Sequence, residues 1–235
     1  MIEQIFYSTS EEFQRFTKPA FELAEALGKR FNIPVSEYNN TKLNQKGVLI
    51  GTNSHHHLAG GLSDLPLVVI DKHTDMYANG PVPTSYGYNT WVYYEIRKKP
   101  EVHLIIPKVD SLSLGRSCIP EGYEQKFHIY SLDGQKKARF FVLDDDGSVK
   151  REIEKEVEDL ENLVRTSGPK QISTDFDFYQ DKKSREIEDI IEGLIAAGNV
   201  YDFWLDWGIF QSDLLKKKKP FDRYIPIFQK IHGAE

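Results

Sequence analysis

The sequence predicts an α/β protein with a three-layer α/β/α arrangement, in which helices cover both faces of a mostly parallel sheet. Three observations support this prediction. Short apolar runs alternate along the chain with segments of helical periodicity. Residues 65–70, which read Leu-Pro-Leu-Val-Val-Ile, are apolar at successive positions, as expected of a strand buried on both sides. The 235 residues contain no repeat and no low-complexity linker, so we expect a single domain over 1–235.

The first half of the chain is predicted to supply four strands and two helices. Four apolar runs have the composition of strands: residues 2–8, 47–51, 65–70 and 103–107. Ser10 is a residue type that caps helices. Apolar residues then recur at helical spacing at Phe13, Phe16, Ala20, Ala24 and Leu27. A second helix is expected over 91–96.

The second half is predicted to continue the alternation. Residues 127–131 and 138–143, separated by Asp133-Gly134, are expected to form a hairpin at the sheet edge. The apolar spacing over 149–165 predicts an amphipathic helix, carried by Ile153, Val157, Leu160 and Val164. The remaining elements follow in order: a strand at 171–176, a helix through Ile187 and Leu194 that Gly198 stops, a strand at 200–207 and a short helix within 220–232.

Charge and cysteine content exclude several classes of protein. The net charge of −6 comes without a basic stripe, which argues against a nucleic-acid or anionic-membrane partner. Cys118 is the only cysteine, so a disulfide framework and a paired-cysteine zinc or redox site are excluded. The N-terminal segment lacks the pattern of a secretory signal, and no apolar run approaches the ~18 residues that span a bilayer. We therefore expect a cytoplasmic protein with a small-molecule substrate.

The placement of histidine and aspartate indicates a metal site. Asp71, His73 and Asp75 directly follow one predicted strand, and Asp175 and Asp177 follow another. In an extended chain, residues at i, i+2 and i+4 point to the same side. Both motifs lie at the carboxyl ends of strands, where open α/β sheets place their ligands. A simpler reading, that these carboxylates cap the strands, explains one such motif better than it explains two.

A run of three histidines, His55 to His57, follows a third strand and adds imidazole ligands at the same edge. Mixed aspartate and histidine ligands without a thiolate favour Mn²⁺, with Zn²⁺, Fe²⁺ or Co²⁺ as competitors. Two ions ~3.5–4 Å apart can share bridging carboxylates and a bridging hydroxide. Asp71 and Asp175, which lie nearest the strand ends, are the natural bridging residues.

Taken together, these motifs resemble the arginase/agmatinase/histone-deacetylase superfamily, and most closely an uncharacterised arginase-like branch. The resemblance rests on His55-His56, on Asp71 to Asp75, on Asn89-Thr-Trp91 and on Asp175-Phe-Asp-Phe178. It implies an arginase-like fold and a hydrolase of non-peptide C–N bonds with two divalent metal ions. The ligands that it implies for the first ion are His55 or His56, Asp71, Asp75 and Asp175, with His55 preferred by spacing. For the second ion it implies Asp71, His73, Asp175 and Asp177.

The chain also departs from this pattern. Arginases and agmatinases usually carry Gly-Gly-Asp-His before the first ligand, whereas this chain reads Gly51-Thr-Asn-Ser-His55. Asp206 is the only candidate for the late acid that grips guanidinium in the family, so arginine or agmatine is not carried over as the substrate. His56 is the candidate proton shuttle, and Asn89 is the candidate polar group in the aromatic loop 77–91, which forms either a pocket wall or a packing loop. Arginase-like folds often assemble, which leaves a homo-oligomer open.

Three other hypotheses remain. In a deacetylase-like arrangement, a single zinc takes Asp71, His73 and Asp175, while His55 and His56 act as acid and base. A metallophosphoesterase is less well supported, because the chain lacks the GDxxD and GNH segments of that family. A non-catalytic module with the same fold would leave buried carboxylates unpaired, which costs stability.

His103 and His128 are expected to be structural or peripheral.

Overall fold

The structure is a computed structural model that describes residues 2–8, 14–43, 47–76, 86, 90–108, 117–166, 168–176, 178, 193–195, 197, 199–205 and 224–233. Its first elements are β1 (Gln4–Tyr7), α1 (Gln14–Phe31), β2 (Val35–Glu37), β3 (Gly47–Thr52), a 3₁₀ helix (Asn53–Gly61), β4 (Leu67–Ile70), α2 (Trp91–Lys98) and β5 (Val102–Ile106). They are followed by β6 (Cys118–Pro120), a short 3₁₀ helix (Glu124–Lys126), β7 (Phe127–Ser131), β8 (Lys137–Leu143), β9 (Val149–Glu158), α3 (Leu160–Arg165), β10 (Gln171–Asp175), β11 (Val200–Leu205) and α4 (Tyr224–His232).

The strands form one sheet in the order β2-β1-β3-β11-β10-β4-β5-β7-β9-β8-β6. Among these neighbours only β8 and β9 run antiparallel. Side chains of β4 alternate between two hydrophobic clusters, because Val68 and Ile70 pack on the face that α1 and α4 cover, whereas Leu67 and Val69 pack with α2. The predicted α/β class with a mostly parallel sheet and helices on both faces is therefore confirmed.

Two predictions near the sheet edge are wrong. β7 does not pair with β8; it pairs in parallel with β5 and β9, while β8 forms the hairpin with β9. Residues 149–158 form strand β9, and the helix begins only at Leu160. Ile153 and Val157 suit either structure, because a spacing of four residues fits both periods. The half-buried Lys155 between them marks the alternation of a strand, and its amine lies 5.9 Å from the centre of the Phe127 ring.

The other predicted strands are present, and each boundary within the described residues lies within two residues of the predicted one. Ser10 and most of the predicted helix before Gly198 lie outside the described residues. Within the described part of the chain, no helix is long and apolar enough to cross a membrane. The prediction of one domain stays a prediction.

Candidate metal centre

Three strand ends meet at one edge of the sheet and deliver the candidate ligands. β4 ends at Ile70, immediately before Asp71, and β10 ends on Asp175. β3 leads directly into the 3₁₀ helix Asn53–Gly61, which carries His56. These strands are near neighbours in the sheet, with only β11 between β3 and β10. Because all of them are parallel, their carboxyl ends lie together.

The His56 imidazole lies at the centre of this site. Its Nδ1 is 3.4 Å from Asp71 Oδ2, 3.3 Å from Asp75 Oδ2 and 3.7 Å from Asp175 Oδ2. His56, Asp71 and Asp75 are all buried, and each offers one ligand atom within 4.8 Å of the other two. One imidazole nitrogen therefore faces three carboxylates, in a donor set of the kind that divalent transition metals bind.

The two oxygens of Asp71 face two different histidines. Oδ2 lies near His56, whereas Oδ1 is 3.6 Å from Nδ1 of His73. The backbone N–H of His73 also donates to Asp71 Oδ1 at 2.7 Å, which closes a tight turn after β4. The His73 side chain is 48% exposed, so it lies on the solvent side of Asp71.

Asp75 reaches the site through an uncommon backbone conformation. Its φ of 49° is left-handed, a region that aspartate tolerates better than most residues. Two contacts hold it there: the backbone N–H of Val92 donates to the Asp75 carbonyl at 3.2 Å, and the Trp91 indole N–H donates to Asp75 Oδ2 at 2.7 Å. The chain has therefore left the extended form by this point, and Asp75 converges with Asp71 through a turn.

The second nitrogen of His56 is fixed by a buried polar network. Nε2 is 3.0 Å from the Ser173 hydroxyl, which in turn donates to Asp202 Oδ1. Since the single hydroxyl proton goes to Asp202, the Ser173 oxygen accepts the Nε2–H of His56. Nε2 therefore keeps its proton, and Nδ1 is the nitrogen that faces the carboxylates and would release its proton to bind a metal. Trp204 Nε1 donates to Asp202 as well, and Gln171 Nε2 donates to its other oxygen at 2.9 Å.

Aromatic rings complete the surroundings of His56. The ring centre of Trp91 is 4.8 Å away and that of Trp204 is 5.2 Å away. Gly51 makes room for Trp204, because a Cβ on Gly51 would lie 2.3 Å from that ring.

The electrostatics of the site favour a positive charge. Burial lowers the pKa of His56, but the hydrogen bond to Asp75 and the charges of Asp71, Asp75 and Asp202 outweigh burial, so the net pKa is raised. Burial raises the pKa of Asp202, against the hydrogen bonds from Ser173 and Gln171 and the charge of His56. The donor set and its field therefore both fit a divalent cation.

The structure brings together four of the sequence-predicted residues: His56, Asp71, Asp75 and Asp175. The His55 and His57 rings are half-buried, and their Nδ1 atoms have no hydrogen-bond partner in the described part of the chain. Burial lowers the pKa of both histidines. Asp177, Asn89 and Asp206 lie outside the described residues.

Sequence reasoning missed Ser173 and Asp202. For Asp202 a signal was present, because an aspartate interrupts the otherwise apolar strand 200–205. Ser173 follows only from the register of β10 and β11, in which it is the direct partner of Asp202.

Neither a protein-family model nor a curated protein matches this sequence. The fold, however, is similar to that of a solved structure, the agmatine ureohydrolase of Thermoplasma volcanium. The TM-score is 0.56 at 12% sequence identity, and the match covers 98% of this chain and 88% of the other. The expectation of an arginase-like fold is therefore confirmed.

Proposed function

We propose that this chain is a metal-dependent hydrolase that cleaves a non-peptide C–N bond and holds two divalent ions, with Mn²⁺ favoured. The position of Asp71 carries the proposal, because its two oxygens face the imidazoles of His56 and His73 separately. A carboxylate placed between two imidazoles is suited to bridging two ions. The shared fold with an agmatine ureohydrolase supports a hydrolase of this general class.

The chain's own residues would act as follows. His56, Asp71, Asp75 and Asp175 would hold the first ion. His73, Asp71, Asp175 and Asp177 would hold the second. We assign His56 as the ligand in place of His55, because its Nδ1 faces the carboxylates while Nε2 is held by Ser173. When bound, two such metal ions polarise the carbon atom of the scissile C–N bond and lower the pKa of bound water.

Two roles are left for residues beside the ligands. The half-buried imidazole of His55 is available to move protons, because its Nδ1 has no hydrogen-bond partner among the described residues. Asn89 and Asp206 remain proposed substrate contacts.

A single-ion site is the second candidate. His73 is 48% exposed and is not part of the group formed by His56, Asp71 and Asp75, which favours one tightly held ion with zinc as the candidate metal. Such a site would support hydrolysis with one ion, although its ligands differ from the deacetylase-like set, in which His73 binds the zinc and His56 acts as acid or base.

The proposal is tested by metal content per chain. Untagged protein is dialysed against Mn²⁺, Zn²⁺ or Fe²⁺ and then against buffer, beside the variants Asp71→Asn and Asp64→Asn. Asp64 is an exposed carboxylate paired with Lys42, so its variant controls for loss of a surface charge. We expect two ions in the wild type and in Asp64→Asn, and fewer than one in Asp71→Asn.

A loaded protein is then screened with amides, guanidines and ureides for release of ammonia, amine or urea. One bound zinc would transfer the assignment to the single-ion hydrolase. The absence of stoichiometric metal under every loading would contradict both candidates and leave a binding protein with this fold.

A further inference from the structure

We propose that Trp91 is a positioning residue that orients two metal ligands at once, Asp75 through its indole N–H and His56 through its ring. The inference rests on the proposed function, since it assumes that these residues bind an ion. It goes further by assigning a role to Trp91, the fully buried first residue of α2.

A hydrogen bond joins the Trp91 indole to Asp75. Trp91 Nε1 donates to Oδ2 at 2.7 Å, and this is the same oxygen that lies 3.3 Å from His56 Nδ1. Oδ2 uses one lone pair on the indole and retains another for an ion. The bond therefore fixes the rotation of the carboxylate and selects the oxygen that faces the site.

The backbone of Asp75 is left-handed. With a φ of 49°, this residue lacks the support of regular secondary structure, and its position depends on contacts with α2. The Val92 N–H binds the Asp75 carbonyl while the neighbouring Trp91 side chain binds the carboxylate. The start of α2 therefore holds both the main chain and the side chain of Asp75.

The His56 imidazole packs between two tryptophan rings. The Trp91 and Trp204 rings lie 4.8 and 5.2 Å from His56, and both tryptophans are fully buried. Together with Ser173 on Nε2, these rings restrict the imidazole to the orientation in which Nδ1 faces the carboxylates. Hydrogen-bonded partners of metal ligands change metal affinity by about 10–100-fold when they are mutated.

Trp204 provides a graded comparison, because it also packs on His56 but reaches a proposed ligand by hydrogen bonding only through Ser173. It is buried, it packs on His56, and its indole N–H is also bonded, but to Ser173 and Asp202 rather than to a proposed ligand. Trp91→Phe and Trp204→Phe each keep a ring beside His56 and each remove one buried indole N–H.

The experiment measures the dissociation constants of Mn²⁺, Zn²⁺ and Co²⁺ by competition with a chelator, for the wild type and both variants. The unfolding temperature of each protein is measured in excess chelator, and the visible spectrum of the Co²⁺-loaded form is recorded. We expect Trp91→Phe to bind metal about 10–100-fold more weakly and to change the Co²⁺ spectrum. Trp204→Phe should weaken metal binding less than Trp91→Phe does, because its indole N–H bonds to Ser173 and Asp202 and to no proposed ligand. Both variants lower the unfolding temperature of the metal-free protein.

If Trp91→Phe does not fold, 3-benzothienylalanine at this position keeps the bicyclic shape and removes only the N–H. The same loss of affinity and the same spectral change are then expected. Equal affinities of the two phenylalanine variants, or an unchanged affinity after loss of the Trp91 N–H, would overturn the inference while leaving the proposed function intact. A wild type that binds no metal would overturn both.

Discussion

Two histidine clusters lie at opposite ends of the strands of one mostly parallel sheet, which we call its carboxyl edge and its amino edge. Both combine histidine with carboxylates, but the pKa of the histidine shifts in opposite directions. At the carboxyl edge, His56 faces three aspartates. At the amino edge, His103 and His128 occupy the second positions of β5 and β7 and stack with ring centres 4.8 Å apart. Only the first cluster forms a group of ligand atoms suited to a metal within the described residues.

The amino-edge cluster is made of separate pairs. His103 Nε2 lies 3.2 Å from Glu101, and His128 Nδ1 lies 2.7 Å from Glu158. The Tyr130 hydroxyl lies 3.1 Å from His103 Nδ1 and donates to Glu158 at 3.2 Å. Each imidazole has its own carboxylate, so negative charge does not accumulate.

The difference lies in the balance of charge, which distinguishes the candidate metal site from the amino-edge histidine cluster. At the carboxyl edge, burial lowers the pKa of His56, but the hydrogen bond to Asp75 and the charges of Asp71, Asp75 and Asp202 together raise it by more, so that the net pKa is raised. Two imidazoles with two carboxylates are balanced, and burial followed by the charge of His128 lowers the pKa of His103 to about 4. The ratio of carboxylates to imidazoles, and not the presence of histidine, therefore makes the carboxyl-edge cluster the one of the two that is suited to a cation.

The sharpest way to break this comparison is to remove one histidine from each edge. We expect His56→Ala to weaken metal binding by more than about 100-fold, because it removes a ligand and not merely a partner of one. His128→Ala should leave the metal affinity unchanged. Both are measured by chelator competition at one pH. Loss of metal from His128→Ala would place the ion at the wrong edge and refute the comparison.

The sequence predicted that the candidate ligands lie at the carboxyl edge, but it did not predict how the chain brings them together there. Asp71 and Asp75 were expected on one side of an extended strand, yet β4 ends at Ile70 and the two residues meet through a turn with Asp75 left-handed. The spacing was informative because tight turns and strands can both bring i and i+4 together. The spacing favoured His55 over His56 as the ligand, whereas His56 is the residue that faces the carboxylates in the structure. The two differ because a 3₁₀ helix directs successive residues about 120° apart.

Residues beyond the ligands were less accessible to sequence reasoning. Ser173 and Asp202 become partners only through the pairing of β10 with β11, which joins segments 29 positions apart. The strand character of 149–158 was hidden for a different reason, since the half-buried position between Ile153 and Val157 is occupied by Lys155. Local pattern indicates which strands exist, whereas long-range pairing decides what lies beside them.

A smaller effect is expected from the network that orients His56. Ser173→Ala removes the acceptor for Nε2–H and a donor to Asp202, so we expect metal affinity to fall by about 10-fold or somewhat more. Ser63→Ala is the matched control, because Ser63 donates to Gln171 at 2.8 Å at the far end of the same network. Isothermal titration with Mn²⁺ measures both. Equal affinities would show that the tautomer of His56 does not depend on Ser173.

The stability of the protein at low pH tests the lowered pKa of His103 at the amino edge. Because the pKa of His103 in the folded chain is about 4, the unfolded chain takes up a proton first as the pH falls from about 6.5, and stability is lost between these values. We expect a loss of about 1–2 kcal/mol by pH 5 from this group. Urea unfolding of the wild type and of His103→Gln at pH 7 and pH 5 measures it, and His103→Gln should lose less. Identical pH dependence of the two would contradict the lowered pKa.

The smallest effect is expected where the amino-edge pairs meet, at the Tyr130 hydroxyl. Tyr130→Phe leaves the ring in place but removes the contacts with His103 and Glu158, so we expect a loss of about 0.5–1.5 kcal/mol of unfolding free energy. Metal affinity should not change, because the hydroxyl belongs to the opposite edge of the sheet from Asp71. Urea unfolding and chelator competition on the same sample separate the two quantities. A weaker metal affinity in this variant would mean that the two edges are energetically coupled through β5 and β4, and that charge balance within each cluster is not sufficient to explain their difference.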